Sequence, residues 1–183
     1  GSKVMANSSP RLDVKKTYKL FIGGAFPRSE SGRTYEVKNS EGLFIANPSL
    51  ASRKDLRDSV VAARAAQDGW GSATAFNRGQ ILYRIAEMME GRTSQFVDEI
   101  VALEGVTQTA AKKQVEDAVD LWVWYSGWCD KIGAIYGSTN AVSGSFYNFT
   151  IPESLGVVAT FAPTKPSLLG LVQAIAPVLA GGN

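Results

Sequence analysis

The feature that most constrains the fold is a short apolar run followed by an almost wholly apolar helix. Residues 156–162 have the sequence Gly-Val-Val-Ala-Thr-Phe-Ala, which is typical of a strand buried on both faces. A helix capped by Thr164 or Ser167 is predicted to run through Leu179, with apolar residues around nearly its whole circumference. A buried strand followed by such a helix opens a βαβ unit, so we predict an α/β fold with the start of a parallel sheet. The strand needs neighbours, and we expect more polypeptide after Asn183 or another chain to supply them.

Short strand signals also occur outside this unit. Apolar and polar residues alternate from Tyr18 to Ile22, and Gly23-Gly24 then offers the positive φ angles of a tight hairpin turn. Further short strands are predicted at 34–37, 43–46 and 146–151.

Helical spacing of apolar residues predicts four earlier helices, at 52–71, 77–90, 93–105 and 107–131. Ser52 is a predicted N-cap, as is Thr107 or Thr109, and Gly105 is a predicted helix end. The inner face of the longest helix is predicted to comprise Val115, Ala118, Trp122, Tyr125 and Cys129.

Composition excludes several kinds of site. The 183-residue chain has no histidine, which removes the commonest general base, every Ser-His or Cys-His pair and any histidine-bound metal. Its 19 basic and 17 acidic residues are too evenly balanced to indicate binding to nucleic acid or to an anionic membrane. No apolar run approaches the length of a membrane span. The single cysteine allows no intrachain disulfide and fits a reducing, cytoplasmic location.

The remaining candidate side chains have structural interpretations. Cys129 lies on the apolar stripe of the longest helix and is predicted to be a small buried core residue. The aromatic residues around it are predicted to pack within the helical layer and not to stack on bases or sugars, because no arginines are interleaved with them. These aromatic residues are Trp122, Trp124, Tyr125 and Trp128. The glutamates of the helical segments are predicted to lie on helix surfaces and not to act as acid or base catalysts. These glutamates are Glu87, Glu90, Glu99, Glu104 and Glu116.

Several stretches occur in an order and at a spacing that resemble one known family. They are Ala-Ala-Arg-Ala-Ala-Gln-Asp-Gly-Trp at 62–70, Arg-Gly-Gln-Ile-Leu-Tyr-Arg-Ile-Ala at 78–86, Pro-Glu-Ser-Leu-Gly-Val-Val at 152–158, and the Gly-Gly-Asn after the apolar helix at 181–183. This arrangement resembles the first two-fifths of the aldehyde dehydrogenase superfamily. The resemblance covers residues 18–183.

The resemblance implies the N-terminal part of the aldehyde dehydrogenase fold, truncated and divided into four segments. A flexible lead or tag occupies 1–16, and the hairpin and helices of the cofactor-binding domain occupy 17–136. An oligomerisation strand segment occupies 137–153, and the first strand-helix unit of the Rossmann-type domain occupies 154–183.

By the same resemblance, the loop Ala162-Pro163-Thr164-Lys165 approaches the cofactor, NAD or NADP. Physical reasoning points to the same place, because ligands lie at the carboxyl ends of parallel strands and helix N-termini favour anionic groups.

Members of the family make a carboxylic acid from an aldehyde. A cysteine thiolate attacks the carbonyl, hydride passes to NAD(P), and a glutamate-activated water releases the acid, while the asparagine of a Pro-Trp-Asn-x-Pro motif helps to hold the oxyanion. If Pro163 matches the first proline of that motif, Thr164 stands at the tryptophan position and Lys165 at the asparagine position. The family's cysteine and glutamate would follow Asn183, so we expect this chain alone to contain no catalytic residue and to be inactive.

Two functions are therefore open. The chain is part of an NAD(P)-dependent enzyme that acts on a small-molecule aldehyde, or it is a non-catalytic module that partners a catalytic homologue, as the departures at Thr164 and Lys165 suggest. In either case we expect a homo-oligomer or a complex with a related subunit, and no nucleic acid or membrane partner. An unrelated helical binding domain is a third possibility, but the unpaired buried strand argues against it.

Overall fold

The computed structural model describes residues 16–183, so residues 1–15 of the predicted lead lie outside the described part. The described chain is a mixture of helices and short strands. In chain order the elements are β1 (Thr17–Tyr18), β2 (Val37–Lys38), β3 (Phe44–Pro48), α1 (Arg53–Ser72), α2 (Ala75–Glu90), α3 (Thr93–Glu104), α4 (Gln108–Trp128), α5 (Ile132–Tyr136), β4 (Ser138–Asn140), β5 (Asn148–Thr150) and α6 (Ser167–Ala180).

The strands form two small sheets. In the first, β3 is central, with β1 parallel on one side and β2 antiparallel on the other. The second is the antiparallel pair β4–β5. The predicted hairpin turn is confirmed, since Ile22 and Ala25 exchange backbone hydrogen bonds across Gly23 and Gly24, which both have positive φ.

Local capping explains where the long helices begin and end. Ser52 caps α1, because its hydroxyl accepts from the Asp55 N–H and the Asp55 carboxylate accepts from the Ser52 N–H. The Thr107 hydroxyl caps α4 by accepting from the Ala110 N–H. Gly105 ends α3 in the left-handed conformation, with φ 67°. All three predicted ends are confirmed.

Helix α4 is the centre of the core. Its predicted inner face is confirmed, with Val115, Ala118, Trp122 and Cys129 buried and Tyr125 half-buried. One side of α4 packs with α2 and α6 around a cluster of Leu82, Ala86, Ala118, Trp122, Cys129, Val172, Ala176 and Ala180. The other side packs on α3 through Val97, Ile100, Ala111 and Val115. The fully buried alanines Ala118 and Ala176 carry small side chains, which suits close approach of α4 and α6.

The prediction of a buried strand at 156–162 was wrong for this structure. The segment forms no strand, and Phe161 is 94% exposed. A strand exists only when a neighbour accepts and donates its backbone hydrogen bonds, and none of the described segments does so for this one. Likewise, helix α6 is buried mainly along the face that contains Val172 and Ala176, while Leu171 is partly exposed.

The carboxyl end of α6 is tied to α1 by polar groups. The Trp70 indole N–H donates to the Leu179 carbonyl at 3.1 Å, and the Gln67 amide donates to the Gly182 carbonyl at 2.9 Å. The Asn183 side chain accepts from the Gly156 N–H at 2.9 Å. Between α1, α6 and the 156–160 segment lies an apolar cavity of about 540 Å³. Thus the 156–162 segment is held at its start against α6 and continues into an exposed loop.

A buried aspartate links the N-terminal sheet region to α1. The Asp55 carboxylate accepts from the Ser29 hydroxyl at 2.6 Å and from the Ser52 N–H at 2.8 Å. These hydrogen bonds, that of Ser29 first, lower the pKa of Asp55 from its ordinary 3.8 to about 2.

This pKa gives a pH-dependent stability with a defined sign. Because the carboxylate is favoured in the folded state, the stabilisation is complete above the ordinary pKa of 3.8 and is lost as the pH falls through about 2. We expect the urea midpoint of unfolding to fall less steeply over this window in Asp55→Asn than in the unaltered protein. The exposed aspartate Asp98 supplies the control, since Asp98→Asn should keep the full slope. Equal slopes in the two variants would contradict this role of Asp55.

Candidate cofactor-binding site

The predicted cofactor loop is an exposed connection that leads into α6. Ala162, Pro163, Thr164 and Lys165 are all exposed. The last three of them line a cavity of about 350 Å³. Its other side is formed by residues 37–40, which comprise β2 and the two residues after it, and by the end of α3. Ala162 does not line this cavity. The structure therefore brings three of the four predicted residues to one cleft.

The Lys165 ammonium is held by the carboxyl end of α3. Its Nζ donates a hydrogen bond to the Glu104 carbonyl oxygen at 2.9 Å. Glu104 is the last residue of α3, where unpaired carbonyls and the helix dipole favour a cation. The lysine side chain is thus directed at the protein's own backbone.

The carboxylate of the same residue, Glu104, points to the start of α6. It accepts from the Ser167 N–H at 3.1 Å and from the Gln114 side-chain amide at 2.8 Å. The residue is only 4% exposed, so the prediction that Glu104 lies on a helix surface was wrong. The other four glutamates of that group are exposed, as predicted. A buried carboxylate is tolerated here because hydrogen bonds and the positive end of a helix compensate its desolvation.

Gln114 completes the cap of α6 from outside the helix. Its side-chain oxygen accepts from the Leu168 N–H at 3.0 Å and from the Leu169 N–H at 3.3 Å. Together with the Glu104 bond to Ser167, this satisfies the first three N–H groups of the helix. The expectation that Thr164 or Ser167 caps α6 was wrong, because Pro166 is at the N-cap position and no local side chain forms a cap hydrogen bond.

The cap also changes where an anionic ligand can bind. A helix N-terminus attracts anions through its free N–H groups, and in α6 these groups already donate to Glu104 and Gln114. Sequence reasoning missed both residues. The available signal was Pro166 directly before the apolar helix: a proline at the N-cap position has no side-chain acceptor, so the first N–H groups must be capped from elsewhere.

A glycine fixes the other end of the loop. A Cβ added to Gly170, in the first turn of α6, would overlap the ring of Pro163. Glycine at this position lets the loop lie directly on the helix.

Cys129 is not the nucleophile of this site. It is buried in the core, and burial raises the pKa of its thiol, which keeps it protonated and unreactive. Trp122 is buried, as predicted, whereas Trp124 is 55% exposed and contacts Tyr125 and Trp128 edge-on, so the prediction of packing within the helical layer was wrong for Trp124. Within residues 16–183, no cluster of acidic or cysteine side chains could hold a metal ion, and no helix is long and apolar enough to cross a bilayer.

The contact between Gly170 and Pro163 can be tested against a matched glycine. Replacing a helix-interior glycine by alanine normally stabilises a helix by about 0.5–1 kcal/mol, and we expect this for Gly69→Ala in α1, where the added Cβ meets open space. For Gly170→Ala we expect the free energy of unfolding to fall by about 1–3 kcal/mol, because the new methyl group overlaps Pro163. Denaturant unfolding of both variants gives the comparison. Equal stabilisation by the two substitutions would show that Pro163 does not constrain the helix.

Comparison with known proteins assigns the chain to a family. The model of the aldehyde dehydrogenase family matches residues 26–183. The chain is 34% identical over 182 residues to cytosolic 10-formyltetrahydrofolate dehydrogenase of Mus musculus, which covers 94% of this chain and 20% of that protein. It is 31% identical over 186 residues to retinal dehydrogenase 2 of Homo sapiens, covering 98% of this chain and 35% of the relative. The chain therefore spans about a fifth to a third of the length of these relatives.

The fold agrees with this assignment. The crystal structure of PnpE in complex with nicotinamide adenine dinucleotide superposes with a TM-score of 0.85 at 26% identity, over 91% of this chain and 34% of that one. The predicted α/β class and the partial aldehyde dehydrogenase fold are thereby confirmed. The chain belongs to the aldehyde dehydrogenase family.

Proposed function

We propose that the protein containing this chain oxidises a small-molecule aldehyde to a carboxylic acid, with NAD or NADP as the hydride acceptor. The observation that carries this proposal is the family match over residues 26–183, a range that includes the loop at 162–165. The NAD complex of the structurally similar PnpE supports the cofactor. The names of the relatives, which include a retinal dehydrogenase, support an aldehyde substrate.

In this proposal the described residues bind and position the cofactor, and they do not perform the chemistry. Ala162, Pro163, Thr164 and Lys165 form the loop that approaches the cofactor, and the cofactor, when bound, would accept the hydride. The only cysteine of the chain is Cys129, which is buried and protonated. The nucleophilic cysteine and the general-base glutamate of the family would come from polypeptide beyond this chain, so the chain alone is expected to be inactive.

If Pro163 matches the first proline of the family motif, Lys165 takes the position of the oxyanion asparagine, but its ammonium is engaged elsewhere. An oxyanion donor must point at the reacting carbonyl oxygen, whereas the Lys165 Nζ donates to the Glu104 carbonyl. We therefore propose that Lys165 stabilises the loop and does not hold the oxyanion.

The hairpin β4–β5 is the proposed oligomerisation segment, within the boundaries 137–153. Its residues are exposed, and Phe146, Tyr147 and Phe149 present large apolar side chains to solvent. Exposed apolar groups concentrated on one element favour association with another subunit, so a homo-oligomer or a complex with a related subunit follows. The segments 17–136 and 154–183 then belong to the cofactor-binding part, in a protein that we place in the cytoplasm.

A non-catalytic role is the second candidate, and the engaged ammonium of Lys165 favours it. If nothing replaces the missing oxyanion donor, catalysis loses roughly 10²–10³ in rate. The protein would then serve as a partner of a catalytic relative.

The enzymatic function is tested by aldehyde-dependent reduction of NAD and NADP in the native-length protein, with aliphatic and aromatic aldehydes. We expect turnover, and we expect Lys165→Ala to change kcat by less than about threefold, compared with roughly 10²–10³ for loss of a true oxyanion donor. Lys112→Ala, at an exposed lysine of α4, is the matched control.

Each other outcome points to a different conclusion. A fall of kcat by about 10²-fold or more in Lys165→Ala, but not in Lys112→Ala, would identify Lys165 as the oxyanion donor, because loss of such a donor typically lowers the rate by roughly 10²–10³. The absence of turnover with every aldehyde would reject the enzymatic function. In that case native mass spectrometry should show a stable complex with a related subunit.

A further inference from the structure

We propose that Glu104 and Gln114 are positioning residues, which hold the loop at 162–166 in the conformation that receives the nicotinamide cofactor. This inference rests on the proposed function, because it assigns the pair a role in cofactor binding. The two residues lie on α3 and α4, and neither borders the loop in sequence.

Glu104 contacts the chain on both sides of Pro166, at the end of the loop. On one side the Glu104 carbonyl accepts from the Lys165 ammonium at 2.9 Å. On the other side the Glu104 carboxylate accepts from the Ser167 N–H at 3.1 Å, which fixes the first residue of α6. The chain between these two contacts is the single residue Pro166. The position of the loop's end therefore depends on one buried residue of α3.

The carboxylate also sets the orientation of the Gln114 amide. A carboxylate accepts hydrogen bonds only, so the Gln114 NH₂ group must face Glu104. The Gln114 oxygen then faces α6, where it accepts from the N–H groups of Leu168 and Leu169. If the amide turned over, its NH₂ group would face two N–H donors. The nitrogen and the oxygen of the Gln114 amide thus each have a defined partner.

Single substitutions are expected to break this hydrogen-bond pattern, and a reciprocal exchange of the two side chains is expected to restore it. In Glu104→Gln one oxygen remains, and it cannot accept from both Ser167 and Gln114, so at least one hydrogen bond is lost. In Gln114→Glu two carboxylates face each other across a contact of 2.8 Å. In the double exchange, Glu104→Gln with Gln114→Glu, the amide oxygen at 104 accepts from Ser167, and its NH₂ group donates to the carboxylate at 114. That carboxylate caps Leu168 and Leu169, and one negative charge still lies at the start of α6.

The effect on function follows from the population of loop conformations. A ligand that binds one conformation has an apparent Kd equal to the intrinsic Kd divided by the fraction of molecules in that conformation. If the loop is correctly placed in one molecule out of ten, the apparent Kd rises about tenfold, whereas turnover at saturating cofactor is unchanged.

The experiment uses the native-length protein and five forms of it: unaltered, Glu104→Gln, Gln114→Glu, the double exchange, and Glu116→Gln. The last is a matched control at an exposed glutamate of α4. Hydrogen exchange at the amides of Ser167, Leu168 and Leu169 reports on the cap itself, without requiring activity. Calorimetric titration with NAD and with NADP gives the cofactor Kd, and steady-state kinetics separates the cofactor KM from kcat.

We expect Glu104→Gln to accelerate exchange at these three amides by about tenfold and to raise the cofactor Kd and KM by about tenfold, with kcat changed by less than about threefold. Gln114→Glu should show the same or larger effects, and the double exchange should return both readouts to within about threefold of the unaltered protein. Should Gln114→Glu fail to fold, Glu104→Gln and the double exchange still give the comparison. Glu116→Gln should leave every readout unchanged.

Three results would overturn the inference. Faster exchange with an unchanged cofactor Kd would show that the cap exists but does not position the cofactor loop. Failure of the double exchange to restore the Glu104→Gln defect would reject the orientation argument. If the unaltered protein binds neither NAD nor NADP, the proposed function fails and the role of the pair in cofactor binding fails with it. The exchange data would separate that failure from a failure of the cap, because they do not depend on the cofactor.

Discussion

The buried carboxylate of Glu104 is the interaction on which the arrangement of the site depends. Removing an ionised carboxylate from water is costly, and it is stable here only because the Ser167 N–H and the Gln114 amide donate to it. These donors come from α6 and α4, while the carboxylate comes from α3. One buried charge therefore fixes the relative position of three helices at the point where the candidate cofactor loop ends. Packing of apolar residues along α4 brings the helices together, but it does not specify the start of α6 to this degree.

This arrangement has a consequence for how a dinucleotide would be held. In many α/β proteins the phosphates lie at a helix N-terminus, where free N–H groups point at the ligand. In α6 that position is filled by the protein's own carboxylate, which also makes the local potential unfavourable for a second anion. The part of a cofactor that meets the loop at 162–165 should therefore be its uncharged or cationic portion, with the phosphates bound elsewhere.

The parts of the fold that could be predicted from the sequence are those set by neighbouring residues. Ser52, Thr107 and Gly105 terminate helices through contacts within four residues, so their side chains are sufficient to identify them. The strand predicted at 156–162 failed because a strand is defined by partners distant in sequence. The site was predictable only in part for the same reason: the loop could be located, but Glu104 lies 61 residues before Lys165. Helical periodicity alone gave no indication that this glutamate was buried.

Lys165 illustrates why a position in a motif does not establish a role. If Pro163 matches the first proline of the family motif, Lys165 takes the place of an asparagine that holds an oxyanion, and it is then either a substitute donor or a sign that the donor is lost. The structure offers a different partner, the carbonyl end of α3, where a cation is favoured by the helix dipole. The start of α6 favours an anion, and Glu104 supplies it. On the two sides of Pro166, the carboxyl end of α3 thus binds the cation of Lys165, and the amino end of α6 binds the anion of Glu104. The fold therefore accounts for a lysine at position 165 without any catalytic role.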